Sequence, residues 1–255
     1  MFLVVANAKN CVYYKQGGCM LNIENISYKV QNAQREDILQ NISLSFPENK
    51  ITVITGPNGS GKSTLLKLIA GILQPTSGKI CLNKQDITPL SVTKRAKLGI
   101  TLAWQQPVKF KGITVKQLLT FANPNCAQLS TACSALARVG LCAKNYVNRL
   151  ADESLSGGEL KRIELACALA KGGHILLFDE PEAGIDLWSF TQLTHMFTSI
   201  QNATIIIVSH QAKILEIADY ICLFQEDGSA ILDTKQKLLP KIQQTPTCQK
   251  LQEEV

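Results

Sequence analysis

Four places in the sequence have residue types and spacing that suit phosphate chemistry. The first is Gly56-Pro57-Asn58-Gly59-Ser60-Gly61-Lys62-Ser63-Thr64, which has the form GxxxxGK[ST]. Its glycines permit a tight turn that aims consecutive backbone N–H groups into one concavity. A helix that starts there adds its positive dipole end. Lys62 can reach the β- and γ-phosphates of a nucleotide, and the Ser63 hydroxyl can sit on Mg²⁺. The second is an apolar run, Ile175 to Phe178, that ends in Asp179-Glu180. Asp179 is placed to hold Mg²⁺ through water, and Glu180 to orient or activate an attacking water. The third is Leu155-Ser156-Gly157-Gly158-Glu159, a second helix start able to bind phosphate. The fourth is Ser209-His210, which ends the apolar run Thr204 to Val208 and delivers an imidazole.

These groups need elements to position them. The run Ile51 to Thr55 is expected to be a buried strand before the glycine-rich loop, with a helix over 65–71 after it. Strands are expected at 21–30, 38–46, 79–82, 100–104, 174–178, 204–208, 220–224 and 229–232. The near-continuous apolar runs at 174–178 and 204–208 suit central parallel strands covered on both faces. Ligands of such open α/β sheets bind at the carboxyl ends of the strands, where Asp179, Glu180 and His210 would stand. The pattern changes at Gln105. From 105 to 171 helix-like stretches at 115–121, 129–139 and 159–170 alternate with loops, as expected for a helical subdomain inserted between strands. Helices are also expected at 92–97, 187–200 and 212–218.

The expected organisation is therefore one domain over 21–235, with the subdomain 105–171 inside it and a polar C-terminal tail at 236–255. Residues 1–20 do not share the domain's pattern. Two readings stand for them: a native terminus, or translated upstream sequence before a start at Met20, with Lys15-Gln16-Gly17-Gly18 encoded by a ribosome-binding site.

Composition narrows the function classes. Hydrophobic residues at 45% and charged residues at 18% allow a sizeable core and argue against wholesale disorder. The net charge of +6 is spread over scattered lysines, which indicates no dedicated nucleic-acid tail. Nine cysteines form no CxxC pair, so neither a zinc site nor a disulfide framework is supported. Cys81, Cys167 and Cys222 lie in apolar surroundings and are expected to be core residues. No apolar run approaches the length of a membrane span, so the expectation is a cytoplasmic protein whose membrane partner, if any, is another chain.

Taken together and in this order, the motifs resemble those of the ATP-binding cassette (ABC) ATPases over residues 21 to about 235. The resemblance implies an α/β P-loop NTPase fold with a mixed sheet core, an antiparallel β region and an inserted helical subdomain. It implies ATP and Mg²⁺ as ligands and ATP hydrolysis as the activity. Tyr28 matches the aromatic that stacks on adenine, and Gln105 the glutamine that senses Mg²⁺ and water. Lys62, Gln105, Glu180 and His210 take the catalytic positions, with Ser63, Gln105 and Asp179 around the metal. Ser156, Gly157 and Gly158 match the signature that contacts the γ-phosphate held by a second copy, and Asp186 matches the D-loop. Two cassettes facing each other would complete each site.

Within that family, Leu102-Ala103-Trp104-Gln105-Gln106-Pro107-Val108-Lys109-Phe110-Lys111-Gly112 looks like the corresponding stretch of the SUF-system ATPases (SufC-like), which drive iron–sulfur cluster assembly. Glu159 stands where Gln is usual in transporters, and Glu182 where Thr is usual. That resemblance implies a SufB/SufD-like scaffold as partner, contacted through residues 108–115. Pro181 follows the transporter pattern instead, and keeps open the alternative of an ATP-binding subunit of a membrane transporter.

Overall fold

The computed structural model describes residues 19–30, 37–225 and 227–244. Residues 1–18 of the stretch 1–20 lie outside these, as do 31–36, 226 and the last residues, 245–255.

Strands β1 (Cys19–Lys29) and β2 (Asp37–Pro47) pair antiparallel, and β3 (Ile51–Thr55) leads into α1 (Lys62–Ala70). Strands β4 (Ser77–Leu82) and β5 (Gln85–Asp86), helix α2 (Val92–Lys97) and strand β6 (Ile100–Ala103) follow. The inserted region holds α3 (Val115–Ala122), a 3-10 turn at Pro124–Ala127, α4 (Leu129–Ala137), α5 (Ala143–Tyr146) and α6 (Gly157–Lys171). Then come β7 (Ile175–Asp179), α7 (Leu187–Ser199), β8 (Thr204–Val208), α8 (Ala212–Glu216), β9 (Tyr220–Phe224), β10 (Ala230–Thr234) and α9 (Lys235–Gln244).

Two sheets result. The larger has the order β10-β9-β3-β8-β7-β6, parallel except for the β10–β9 hairpin; the smaller is antiparallel, β2-β1-β4-β5. Strand alternation divides the core. Val53, Ile205, Ile207, Leu176 and Phe178 face a cluster shared with α3, α4, α6 and α7. Their neighbours Ile54, Ile206, Val208 and Leu177 face a second cluster that includes α1 and the small sheet. Both faces of the central strands are thus covered, which is why these strands read as unbroken apolar runs.

Helices begin earlier than apolar periodicity alone indicates. Helix α1 starts at Lys62 rather than Leu65, because Gly61 takes a left-handed N-cap conformation at φ 95°. Helix α6 starts at Gly157 rather than Glu159; Ser156 and Glu159 form a reciprocal capping box that carries two glycines into the first turn. Strand β6 stops at Ala103, so Trp104 lies outside the sheet. The cysteine expectation needs a correction. Cys222 is fully buried, whereas Cys81 and Cys167 are only partly buried. Cys81 looks outward from β4, and Cys167 lies on a helix face that borders an open groove.

Candidate functional site

The glycine-rich loop is held from both sides. A Cβ at Gly56 would stand 2.4 Å from the Phe224 carbonyl oxygen, and one at Gly61 2.5 Å from Leu39 Cδ2. Both glycines also have positive φ, so the loop can lie flat against β9 and β2 only with glycine at these points. No side chain caps α1, which leaves its first-turn N–H groups for a ligand. The Ser60 hydroxyl is buried without a partner in the chain. An orphaned buried donor and free amides in one concavity fit a phosphate.

Lys62 is buried, and its ammonium donates to the carbonyls of Gly56 (2.8 Å) and Pro57 (2.7 Å). Burial pulls its pKa down, against the pull of Glu180 and Asp179. Ser63 Oγ donates to Asp179 Oδ1 at 2.8 Å. Burial pushes the Asp179 carboxyl up, opposed by the Ser63 bond and by the charges of Lys67 and Lys161, while Glu180 adds to the rise. A hydroxyl and a carboxylate in contact supply hard oxygen donors of the kind Mg²⁺ takes, so these residues fit that ion.

Beside them, Gln105 Nε2 donates to Glu180 Oε2 at 2.7 Å, joining residues 75 positions apart. Glu180 has φ 45°, in the left-handed region that a non-glycine residue enters only under constraint. Its backbone N–H is tied to the Val208 carbonyl at 3.0 Å, which helps keep it there. His210 is exposed at the end of β8; partial burial and Lys62 lower its pKa, against Glu180. The sheet therefore brings Lys62, Ser63, Gln105, Asp179, Glu180 and His210 to one edge.

Tyr28 lies in β1 opposite Leu39, and Leu39 in turn touches Gly61. This puts Tyr28 one strand away from the loop, partly buried against the second core cluster. Asp186 is exposed at the start of α7.

The signature is built on α6. Ser156 Oγ accepts from the Glu159 N–H at 3.2 Å, and Glu159 Oε2 accepts from the Ser156 N–H at 2.7 Å. The serine hydroxyl hydrogen stays available to donate. The Glu159 carboxylate also accepts from Tyr146 Oη at 2.6 Å and pairs with Arg149 at 3.5 Å. The Tyr146 bond first, then the Ser156 amide, hold its pKa at about 2. Gly158 adjoins the D-loop, since a Cβ there would lie 2.6 Å from the Gly184 carbonyl oxygen.

Four engaged residues lie outside the motif positions. Tyr146 supports Glu159 across the subdomain. Lys161 and Glu164 contact the Trp104–Gln105 backbone at the start of the loop after β6, the Q-loop. Glu182 reaches Ser209 Oγ, which donates to it at 2.5 Å, and burial raises its carboxyl. Of these, only Glu182 gave any sequence signal, as a departure from the usual residue.

These features define a P-loop nucleotide-binding cassette. Residues 39–183 match the family described as ABC transporter. An uncharacterised ABC transporter ATP-binding protein of Methanocaldococcus jannaschii is 37% identical over 214 residues, covering 80% of this chain and 84% of that one. The energy-coupling factor transporter ATP-binding protein EcfA2 of Ligilactobacillus salivarius is 30% identical over 227 residues, covering 84% and 78%. A dimeric bacterial ABC transporter cassette superposes with a TM-score of 0.77 at 22% identity, covering 85% of this chain and 99% of that one. The chain belongs to the ABC transporter family, as its ATPase domain. Among the described residues no helix is long and apolar enough to cross a membrane.

Proposed function

We propose that this chain is the ATP-binding and ATP-hydrolysing subunit of an ABC transporter, working as a pair with a second copy of itself. The observation that carries this is the Gln105–Glu180 contact beside Lys62, Ser63 and Asp179, with the signature on a separate helix. The names of the relatives support the transporter assignment.

In this reading ATP lies in the glycine-rich loop, with its phosphates on the amides of Gly59 to Thr64 and on Lys62. Lys62 exchanges the carbonyls of Gly56 and Pro57 for phosphate oxygens. Tyr28 stacks on the adenine. Ser63 and Asp179 would hold Mg²⁺, with Gln105 alongside, and the ion when bound would supply charge neutralisation to the phosphates. Glu180 orients the attacking water and accepts its proton as the water oxygen bonds to the γ-phosphorus and the bond to the β-phosphate oxygen breaks. His210, at the end of β8, donates a ring N–H to the γ-phosphate. Ser156, Gly157 and Gly158 of the second copy close the site, and Asp186 lies where the two copies meet.

Between the Q-loop and α6 runs an apolar groove of about 300 Å³, lined by Trp104, Val108, Phe110, Leu118, Leu160 and Ile163. Trp104, Val108 and Phe110 are exposed there, at 40%, 54% and 39%. Exposed apolar residues that share one groove suit a partner's segment, and in the transporter reading that segment belongs to the membrane subunit.

A second reading is the ATPase motor of SUF-type iron–sulfur assembly, acting in the cytoplasm on a SufB/SufD-like scaffold through 108–115. It is favoured by the Leu102–Gly112 sequence and by the engagement of both departures from transporter usage, Glu159 with Tyr146 and Glu182 with Ser209. Affinity purification from detergent-solubilised native cells separates the two. A polytopic membrane protein is expected to co-purify; recovery of a SufB-like protein without one would replace the first reading by the second.

A further inference from the structure

The peptide that leads into Gln105 is gripped by a buried ion pair. Lys161 is 1% exposed and Glu164 17% exposed in their side chains, and their charged ends are 3.3 Å apart. Glu164 Oε1 accepts from the Trp104 N–H at 2.6 Å. Lys161 Nζ donates to the Trp104 carbonyl, to the Gln105 carbonyl at 3.2 Å and to Glu164 Oε2. Its three protons thus have three acceptors. Both polar groups of Trp104 are held, although β6 has already ended at Ala103.

We infer that Lys161 and Glu164 are positioning residues for ATP hydrolysis, fixing the Trp104–Gln105 backbone so that the Gln105 amide meets Glu180. This rests on the ATPase roles proposed for Gln105 and Glu180. A buried lysine and glutamate stabilise little over apolar residues of the same volume. Their value lies in geometry, since a donor and an acceptor side by side hold the N–H and the C=O of one residue, and so fix the two peptides that flank Trp104. Without them, Trp104 to Phe110 is a surface loop beside an open groove, and Gln105 has several rotamers to lose. The same helix carries Ser156 at its N-cap, so a shift of α6 on engaging the second copy's nucleotide moves the Gln105 backbone with it. The field of Lys161 also reaches Asp179 and Glu182, where it favours the ionised carboxylates.

The test uses three variants and one measurement on the unaltered chain. Removing one partner strands a buried charge, so the informative variant is the paired Lys161→Met/Glu164→Gln, which removes both charges. It should fold with a melting temperature near that of the parent. Its kcat should fall about 10- to 10²-fold through misplacement of Gln105, with KM for ATP changed less than about threefold. Lys161→Arg keeps a cationic donor and should retain kcat within about threefold. A folded paired variant with unchanged kcat would overturn the inference, as would an equal loss in kcat for Lys161→Arg and Lys161→Met. Amide hydrogen exchange on the unaltered chain needs no variant. The Trp104 amide should exchange about tenfold or more slowly than those of Gln106 and Val108. Equal rates would overturn the grip directly. Absence of ATP hydrolysis by the parent would instead sink the ATPase roles, while the exchange result would still decide the grip.

Discussion

Replacing Gly158 by alanine separates function from stability more cleanly than any other single change at the site. Gly158 is the second residue of α6, and its added methyl would lie 2.6 Å from the Gly184 carbonyl oxygen, where ordinary contact begins near 3.4 Å. The obstacle is backbone, not a flexible side-chain end, so the signature and the D-loop must separate by the difference, about 0.8 Å. The loop that must move runs from Glu180: the Ala183 N–H bonds to the Glu180 carbonyl at 3.0 Å, and the Ile185 N–H to the Glu182 carbonyl at 3.0 Å. The helix itself gains from alanine, by about 1 kcal/mol on intrinsic propensity, which offsets the strain of the displacement. A misplacement on the order of 1 Å costs up to about 10²-fold in rate. Gly158→Ala should therefore melt within a few degrees of the parent, bind a fluorescent ATP analogue to the isolated chain with unchanged affinity, and hydrolyse ATP about 10- to 10²-fold more slowly. Turnover within about twofold of the parent, in a folded variant, would refute the claim that the signature and D-loop must stay in contact.

Other outcomes follow from the same geometry. Lys62→Ala should abolish nucleotide binding by equilibrium dialysis, because its ammonium lies inside the loop, bonded to the Gly56 and Pro57 carbonyls; retained ATP turnover would remove the glycine-rich loop from the mechanism. Arg95 is fully buried and donates to the carbonyls of Leu68 (2.6 Å), Ile69 (3.0 Å), Thr88 (2.8 Å) and Leu90 (3.1 Å), the first two in the last turn of α1. Arg95→Met should lower the unfolding free energy by about 3 kcal/mol or more, read from the urea midpoint, since buried carbonyls lose their donors; a loss below about 1 kcal/mol would contradict this. The Glu159 carboxylate is held at about 2, below its ordinary value near 4.5, so its contribution is complete above pH 4.5 and is lost as pH falls toward 2. Glu159→Gln should accordingly flatten the acid limb of the stability profile in that window, and an unchanged limb would show that the carboxylate is not engaged.

The fold was largely legible because its signals are local. Apolar runs located β3, β7 and β8 to within a residue, since strands covered on both faces need no alternation. The loop from Gly56 to Thr64 was legible because its glycines answer to a backbone requirement that few other residues meet. Helix starts were less legible, because Lys62, Ser63 and Gly157 are first-turn residues that apolar spacing does not register. The tertiary bonds were not legible at all. Tyr146 meets Glu159 across 13 positions, and Trp104 meets Glu164 across 60. In sequence, Lys161 and Glu164 look like the solvated side of an amphipathic helix; burial against the Q-loop gives them their role. Glu159 and Glu182 were visible as departures, but their partners, Tyr146 and Ser209, came only with the three-dimensional arrangement.

The central claim is that the loop around Lys62 and the signature around Ser156 are halves of one site, completed by a second copy. The direct measurement is the mass of the Glu180→Gln variant by analytical ultracentrifugation, with and without Mg²⁺ and ATP. General-base removal slows hydrolysis about 10²- to 10⁴-fold, so ATP persists through the run. The variant should be a monomer without nucleotide and with ADP, and a dimer with ATP that Ser156→Arg prevents. A variant that binds ATP yet remains monomeric at every concentration, or a dimer that forms equally well with Ser156→Arg, would contradict it.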